Sequence, residues 1–156
     1  MYKRQDVARE VVAAGHEIAV HGDVHRSHLI RTPRDVRQDV RRALEDIGGV
    51  TGVAPRWYRA PYGHFSAGTL RAAAAAGLEP VVWTAWGRDW RGGPAEEVRR
   101  AVVRGLADGG TVLLHDSDCT SKPLSWRSAL GALPLLLEHC AEQGWRVGPL
   151  AEHGMG

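Results

Sequence analysis

An α/β fold built from parallel βα units, with about five strands, is what this sequence predicts. Helix-periodic segments and short strand-like segments alternate along its whole length, the pattern of successive βα units. Reactive side chains collect in the loops that follow the strand-like segments, where open parallel sheets and βα barrels carry their sites. Length bounds the rest: closing a βα barrel takes eight strands and usually about 200 residues or more. A chain of 156 residues with about five units is therefore an open sheet, or a barrel whose opening strands are missing.

Val7, Val11 and Val12 recur at helical spacing ahead of Gly15, giving a helix over residues 4–14. Residues 17–20 are short, partly alternating and bounded by Gly15 and Gly22, which predicts a strand that ends at His21. After a polar loop, Thr32 or Pro33 opens a helix with the stripe Val36, Val40, Ala43, Leu44 and Ile47, stopped by Gly48-Gly49. Residues 57–59 form a brief strand before Pro61, and Ser66 caps a helix running through the alanines to Gly77. A strand is predicted over 80–84. Pro94 then starts a helix bearing Val98, Val102, Val103 and Leu106, closed by Gly109-Gly110. Residues 111–114 read as a fully buried strand, 126–140 as helix and 145–147 as a last strand. Neither an internal repeat nor a linker interrupts the sequence, so 1–156 is expected to be one domain.

Hydrophobic residues make up 44% and charged residues 24% of the chain, and no apolar run approaches the ~20 residues of a membrane span. A globular chain without membrane contact is expected. Basic residues number 20 against 18 acidic, spread rather than clustered, so no nucleic-acid footprint is present. Cys119 and Cys140 are too few for a disulfide framework. The opening residues lack the apolar stretch of a secretory signal, so the chain as written is expected in the cytoplasm. Oligomeric state is not legible.

Five of the eight histidines lie in loops after predicted strands. His21 and His25, four apart where the backbone turns, can converge on one metal ion, although surface or capping histidines show the same spacing. A catalytic zinc takes about three protein ligands, and no third is evident here. Other loops carry Arg59 to His64, Asp89-Trp90 and His115-Asp116. An arginine before a Pro-Tyr turn, or a histidine ending an apolar strand, is by itself more often structural than catalytic.

Together these residues resemble the polysaccharide deacetylase family, whose NodB homology domain defines carbohydrate esterase family 4. Gly15-His16-Glu17-Ile18 leading to His21-x-x-x-His25 resembles the family's His-Ser/Thr-x-x-His-Pro motif, with Gly22 and Arg26 in place of the hydroxyl residue and the proline. Arg59-Ala60-Pro61-Tyr62-Gly63 is similar to the next motif, Trp86-Gly87-Arg88-Asp89-Trp90 to the fourth, and residues 110–116 to the fifth. The first motif, Thr-Phe-Asp-Asp-Gly, which carries the family's general base and third metal ligand, does not occur in 1–156. The resemblance implies a partial (β/α) barrel of the NodB type, truncated at its N-terminus, with Met1 an internal methionine or a misplaced start.

The resemblance also implies the chemistry. His21 and His25 bind a divalent metal, zinc by preference, and Arg59 orients the catalytic aspartate. The Tyr62 backbone N–H donates to the oxyanion. His115 is the general acid for the leaving amine, with Asp89 keeping it oriented and protonated. Leu114 lines the acetyl pocket, and Trp86 and Trp90 stack on a sugar face. The implied substrate is a carbohydrate bearing N-acetyl groups, chitin-like or peptidoglycan, hydrolysed slowly because the base is absent. A noncatalytic remnant binding metal or sugar, and a deacetylase of a small amide, are the competing readings.

Overall fold

The computed structural model describes residues 5–153. Arg4, with which the first helix was expected to begin, and Met1, the questioned start, lie outside the described residues. Two compact units divide between Val82 and Trp83.

In the first unit, helix α1 (Gln5–Ala13) precedes an extended segment, and helix α2 (Pro33–Thr51) starts on Thr32, whose side chain accepts the Asp35 N–H. Strand β1 (Trp57–Tyr58) pairs in parallel with β2 (Glu79–Pro80), the two joined through α3 (Ala67–Ala75). Ser66 and Thr69 cap α3 reciprocally, each side chain taking up the other's backbone N–H, so two orphan donors of the helix start are satisfied. The core is built from Val20, Val36, Val40, Ala43, Tyr58, Ala60, Ala72, Ala73 and Leu78.

In the second unit, β3 (Ala85–Trp86) pairs in parallel with β4 (Val112–Leu113), with α4 (Ala95–Val103) between them in sequence and α5 (Trp126–Glu142) after them. Ala85, Val98, Val102, Ala132 and Leu136 form the buried centre where α4 packs on α5. All strand pairing among the described residues is parallel, as βα units require. Cys119 is exposed and Cys140 buried, both as free thiols. No helix among the described residues is long and apolar enough to cross a membrane.

Several elements differ from expectation. Residues 17–20 do not form a strand: only Val20 pairs, donating to Trp57 O and accepting from the Arg59 N–H, while the Glu17 carboxylate accepts the Trp57 indole N–H at 2.7 Å. Gly48-Gly49 does not stop α2, which ends instead where Gly52 takes a left-handed φ of 70° and donates to Gly48 O. A mid-helix glycine costs roughly 1 kcal/mol without preventing helix, whereas Gly52 supplies the conformation that a C-terminal cap needs. The strand expected over 80–84 is divided: Val81 donates to Tyr58 O, Val82 is exposed, and pairing resumes at Thr84 and Ala85, which both donate to Thr111 O. Residues 111–114 are not fully buried, since only Leu113 is inside. No strand forms over 145–147, where Trp145 packs edge-on against His139 at the end of α5 and Val147 is exposed.

Candidate active site

Strand β1 and the Val20 bridge bring two of the sequence-predicted loops of the first unit side by side. The chain turns after His21 at Gly22, whose φ of 90° only glycine adopts without strain. The His21 ring donates through Nδ1 to the Arg59 carbonyl at 2.7 Å, because a carbonyl can only accept. In neutral imidazole the lone pair then sits on Nε2, the tautomer that a backbone carbonyl accepting from Nδ1 imposes on metal-binding histidines. The His25 ring centre lies 5.1 Å from that of His21, with the planes tilted by 59°. Zinc–nitrogen bonds of about 2.0–2.1 Å put two ligand nitrogens about 3.3 Å apart in tetrahedral geometry, a separation that rings at this spacing can supply. The pair therefore fits two of a metal's ligands. Among the described residues no group of three or more His, Cys, Asp or Glu side chains is arranged to hold a metal ion.

The second loop turns through Pro61–Gly63, where Tyr62 takes a left-handed φ of 59° that is unusual for a residue with a side chain. The Gly63 and His64 N–H groups donate to Ala60 O and Pro61 O. The Tyr62 ring packs on His25 with centres 4.4 Å apart, and both border an open cleft of about 750 Å³ lined also by Arg26, Ile30, Arg31 and His64. Arg59 is half-buried, and its backbone links the two loops by accepting from His21 and donating to Val20.

Beneath the His21 to His25 loop lies a buried polar cluster that the sequence reading did not single out. Asp39, on α2, accepts the N–H groups of Asp23 and Val24, each at 3.2 Å, and pairs with Arg31 at 2.7 Å. His28 is fully buried, with Nδ1 accepting from the Tyr58 hydroxyl at 3.2 Å and Nε2 3.5 Å from the Asp39 carboxylate. Burial pushes the His28 pKa below its ordinary value; neighbouring Asp39 opposes this and Arg31 adds to it. Burial, reinforced by Asp39, also raises the Tyr58 pKa, so its hydroxyl stays protonated. The signal for Asp39 was present in the sequence as an acidic residue inside the apolar stripe, three after Val36 and four before Ala43.

In the second unit, β3 and β4 end side by side and bring Asp89 to His115. The fully buried Asp89 carboxylate accepts the His115 backbone N–H at 2.7 Å and faces ring Nδ1 at 3.1 Å. The imidazole is thereby fixed with Nδ1 protonated and Nε2 directed away from the carboxylate. Arg88, left-handed at φ 54°, turns the chain into Asp89. The Trp90 ring meets His115 edge-on at 5.6 Å, and Trp86 lies 5.0 Å from Trp90. Trp83, which the sequence reading passed over, extends the row at 5.7 Å from Trp86. Leu114 is half-buried and packs against the core of this unit. Asp118, in the loop after His115, accepts the Leu124 N–H at 2.6 Å.

The polysaccharide deacetylase family profile matches residues 1–81. Across 158 aligned residues the chain is 31% identical to a chitooligosaccharide deacetylase of Bradyrhizobium sp. (strain ANU 289), covering 94% of this chain and 70% of that one. The chain belongs to the polysaccharide deacetylase family. Its structure superposes on a CE4 family pseudoenzyme from Bacillus anthracis with a TM-score of 0.86 at 23% identity, over 96% of this chain and 50% of the other. It also superposes on a family 4 acetyl xylan esterase from Clostridium thermocellum in complex with a cobalt ion, with a TM-score of 0.83 at 24% identity, covering 97% and 70%. This polysaccharide deacetylase thus has the fold its motifs implied, a partial (β/α) barrel of the NodB type. It spans about half the length of the Bacillus anthracis chain.

Proposed function

We propose that this polysaccharide deacetylase hydrolyses N-acetyl groups on an amino-sugar polymer, chitin-like or peptidoglycan, giving acetate and a free amine. The observation that carries the reading is the grip of buried Asp89 on both the backbone and the ring of His115. A histidine whose Nδ1–H is held by a buried carboxylate keeps Nε2 directed outward, and in its imidazolium form it gives the Nε2 proton to the amine as the carbon–nitrogen bond breaks, leaving the neutral ring. His21 and His25 are the residues that would hold a divalent cation such as Zn²⁺. A bound cation of this kind polarises a carbonyl and makes water a nucleophile at neutral pH. The Tyr62 N–H, in its left-handed turn, donates to the oxyanion that develops on the acetyl carbonyl. Arg59 is placed to orient a water-activating aspartate where the family's first motif supplies one, Leu114 accommodates the acetyl methyl, and Trp86 and Trp90 stack on sugar.

Thr-Phe-Asp-Asp-Gly is not in the 156-residue sequence, so turnover by this chain is expected to be slow. The same feature favours a second reading, binding of metal and sugar without turnover. Acetate released from an N-acetylated chitin oligomer decides between them, measured with Zn²⁺ or Co²⁺ and again after chelation. Slow release that needs the cation supports the hydrolase. Release that survives chelation unchanged overturns the metal assignment, and cation binding with no acetate supports the second reading.

A further inference from the structure

The motif positions between His21 and His25 are held from below by a single carboxylate. Asp39 is 1% exposed at its side chain, and its two oxygens accept the N–H groups of Asp23 (Oδ2) and Val24 (Oδ1), both inside His21-x-x-x-His25. A Cβ built at Gly22 would come within 2.7 Å of Asp39 Oδ2 and 3.3 Å of Pro61 Cγ. The carboxylate thus fills the space that a side chain would need at position 22, where the family's motif has Ser or Thr. Arg31 pairs with Oδ1 at 2.7 Å and offsets the buried charge, while α2 carries Asp39 on its buried face.

We propose that Asp39 is a positioning residue for the candidate metal ligands: it fixes the backbone at 23 and 24 so that the His21 and His25 rings are presented together. The proposal rests on the reading of these histidines as ligands. Backbone amides at two successive residues leave the turn little freedom, and an anchor on a long helix is more rigid than one on a loop. Arg31 and His28 meet the same carboxylate, Arg31 at Oδ1 and His28 Nε2 at 3.5 Å from Oδ2.

The test compares the full chain with Asp39→Asn, Asp39→Glu and Val40→Ala. Val40 is as buried as Asp39 and adjoins it on α2, so its truncation loosens the same core without removing an acceptor from the loop. Two readouts are taken: hydrogen exchange at the Asp23 and Val24 amides, and Co²⁺ affinity by equilibrium dialysis. Loss of an outer partner of a metal site typically weakens metal binding about 10–100-fold, and that loss is expected in Asp39→Asn together with faster exchange at the two amides. Val40→Ala is expected to lower the melting temperature and leave cobalt affinity within about twofold. If Asp39→Asn does not fold, Asp39→Glu, which displaces both oxygens by one methylene, supplies the same comparison. Unchanged exchange and affinity in the Asp39 variants, or an equal loss of affinity in Val40→Ala, overturns the proposal. Absence of cobalt binding by the unaltered chain overturns the ligand assignment instead, and the exchange rates then decide alone whether Asp39 holds the turn.

Discussion

His115 and Asp89 form a pair whose geometry makes a directional statement about each residue. Asp89 is buried and points its oxygens at both the backbone and the ring of His115, so Asp89→Asn would keep the shape while presenting an amide group that can stabilise the wrong tautomer. Acetate release by Asp89→Asn is expected to fall by about 10²-fold or more, with metal affinity unchanged; a loss of metal affinity instead would place Asp89 in a different role. His28 gives a pH prediction. Its pKa lies below the ordinary imidazole value because burial disfavours the charged form. The unfolded chain therefore takes up a proton as pH falls through about 6.5 while the folded chain does not, so His28 makes stability decline from that pH down to its own lowered pKa. The difference in melting temperature between the chain and His28→Leu should change in favour of the variant as pH is lowered from 7.5 to 5.5. A constant difference over that range would contradict a neutral buried His28.

Helix starts were readable in the sequence because they are chemical: Thr32 before Pro33 and Ser66 before Thr69 satisfy donors with nearby side chains. Helix and strand ends were less readable. Gly48-Gly49 has the appearance of a stop, yet added methyl groups would meet nothing closer than Val53 O at 3.8 Å at position 48 and open space at position 49. Neither glycine has a left-handed φ, so the helix tolerates them at an entropic cost. Gly48→Ala and Gly49→Ala should each stabilise the fold by about 0.4–1 kcal/mol in denaturant titrations; destabilisation by either would show a contact not evident in the helix. The strands were overestimated for a related reason. Apolar runs such as residues 80–84 mark burial or pairing without saying which residues find partners, and pairing is set by residues far away, such as Thr111 and Tyr58.

Across the whole molecule, motif residues were far more legible than the groups that hold them. His21, His25, Arg59, Tyr62, Asp89 and His115 stand out because reactive types fall after strand-like segments in a recognised order. Asp39, His28 and Trp83 did not, because an acid in a helix stripe or one more tryptophan acquires meaning only from its spatial neighbours. The central claim is that His21 and His115 are both needed for hydrolysis of the N-acetyl group. A double-mutant cycle tests it most directly: single-turnover acetate release from an N-acetylated chitin oligomer by the chain, His21→Ala, His115→Ala and the double variant. Groups that act in one reaction are strongly non-additive, so the double variant should be scarcely slower than the slower single variant. Fully additive losses, or a His115→Ala variant as fast as the unaltered chain, would contradict the account.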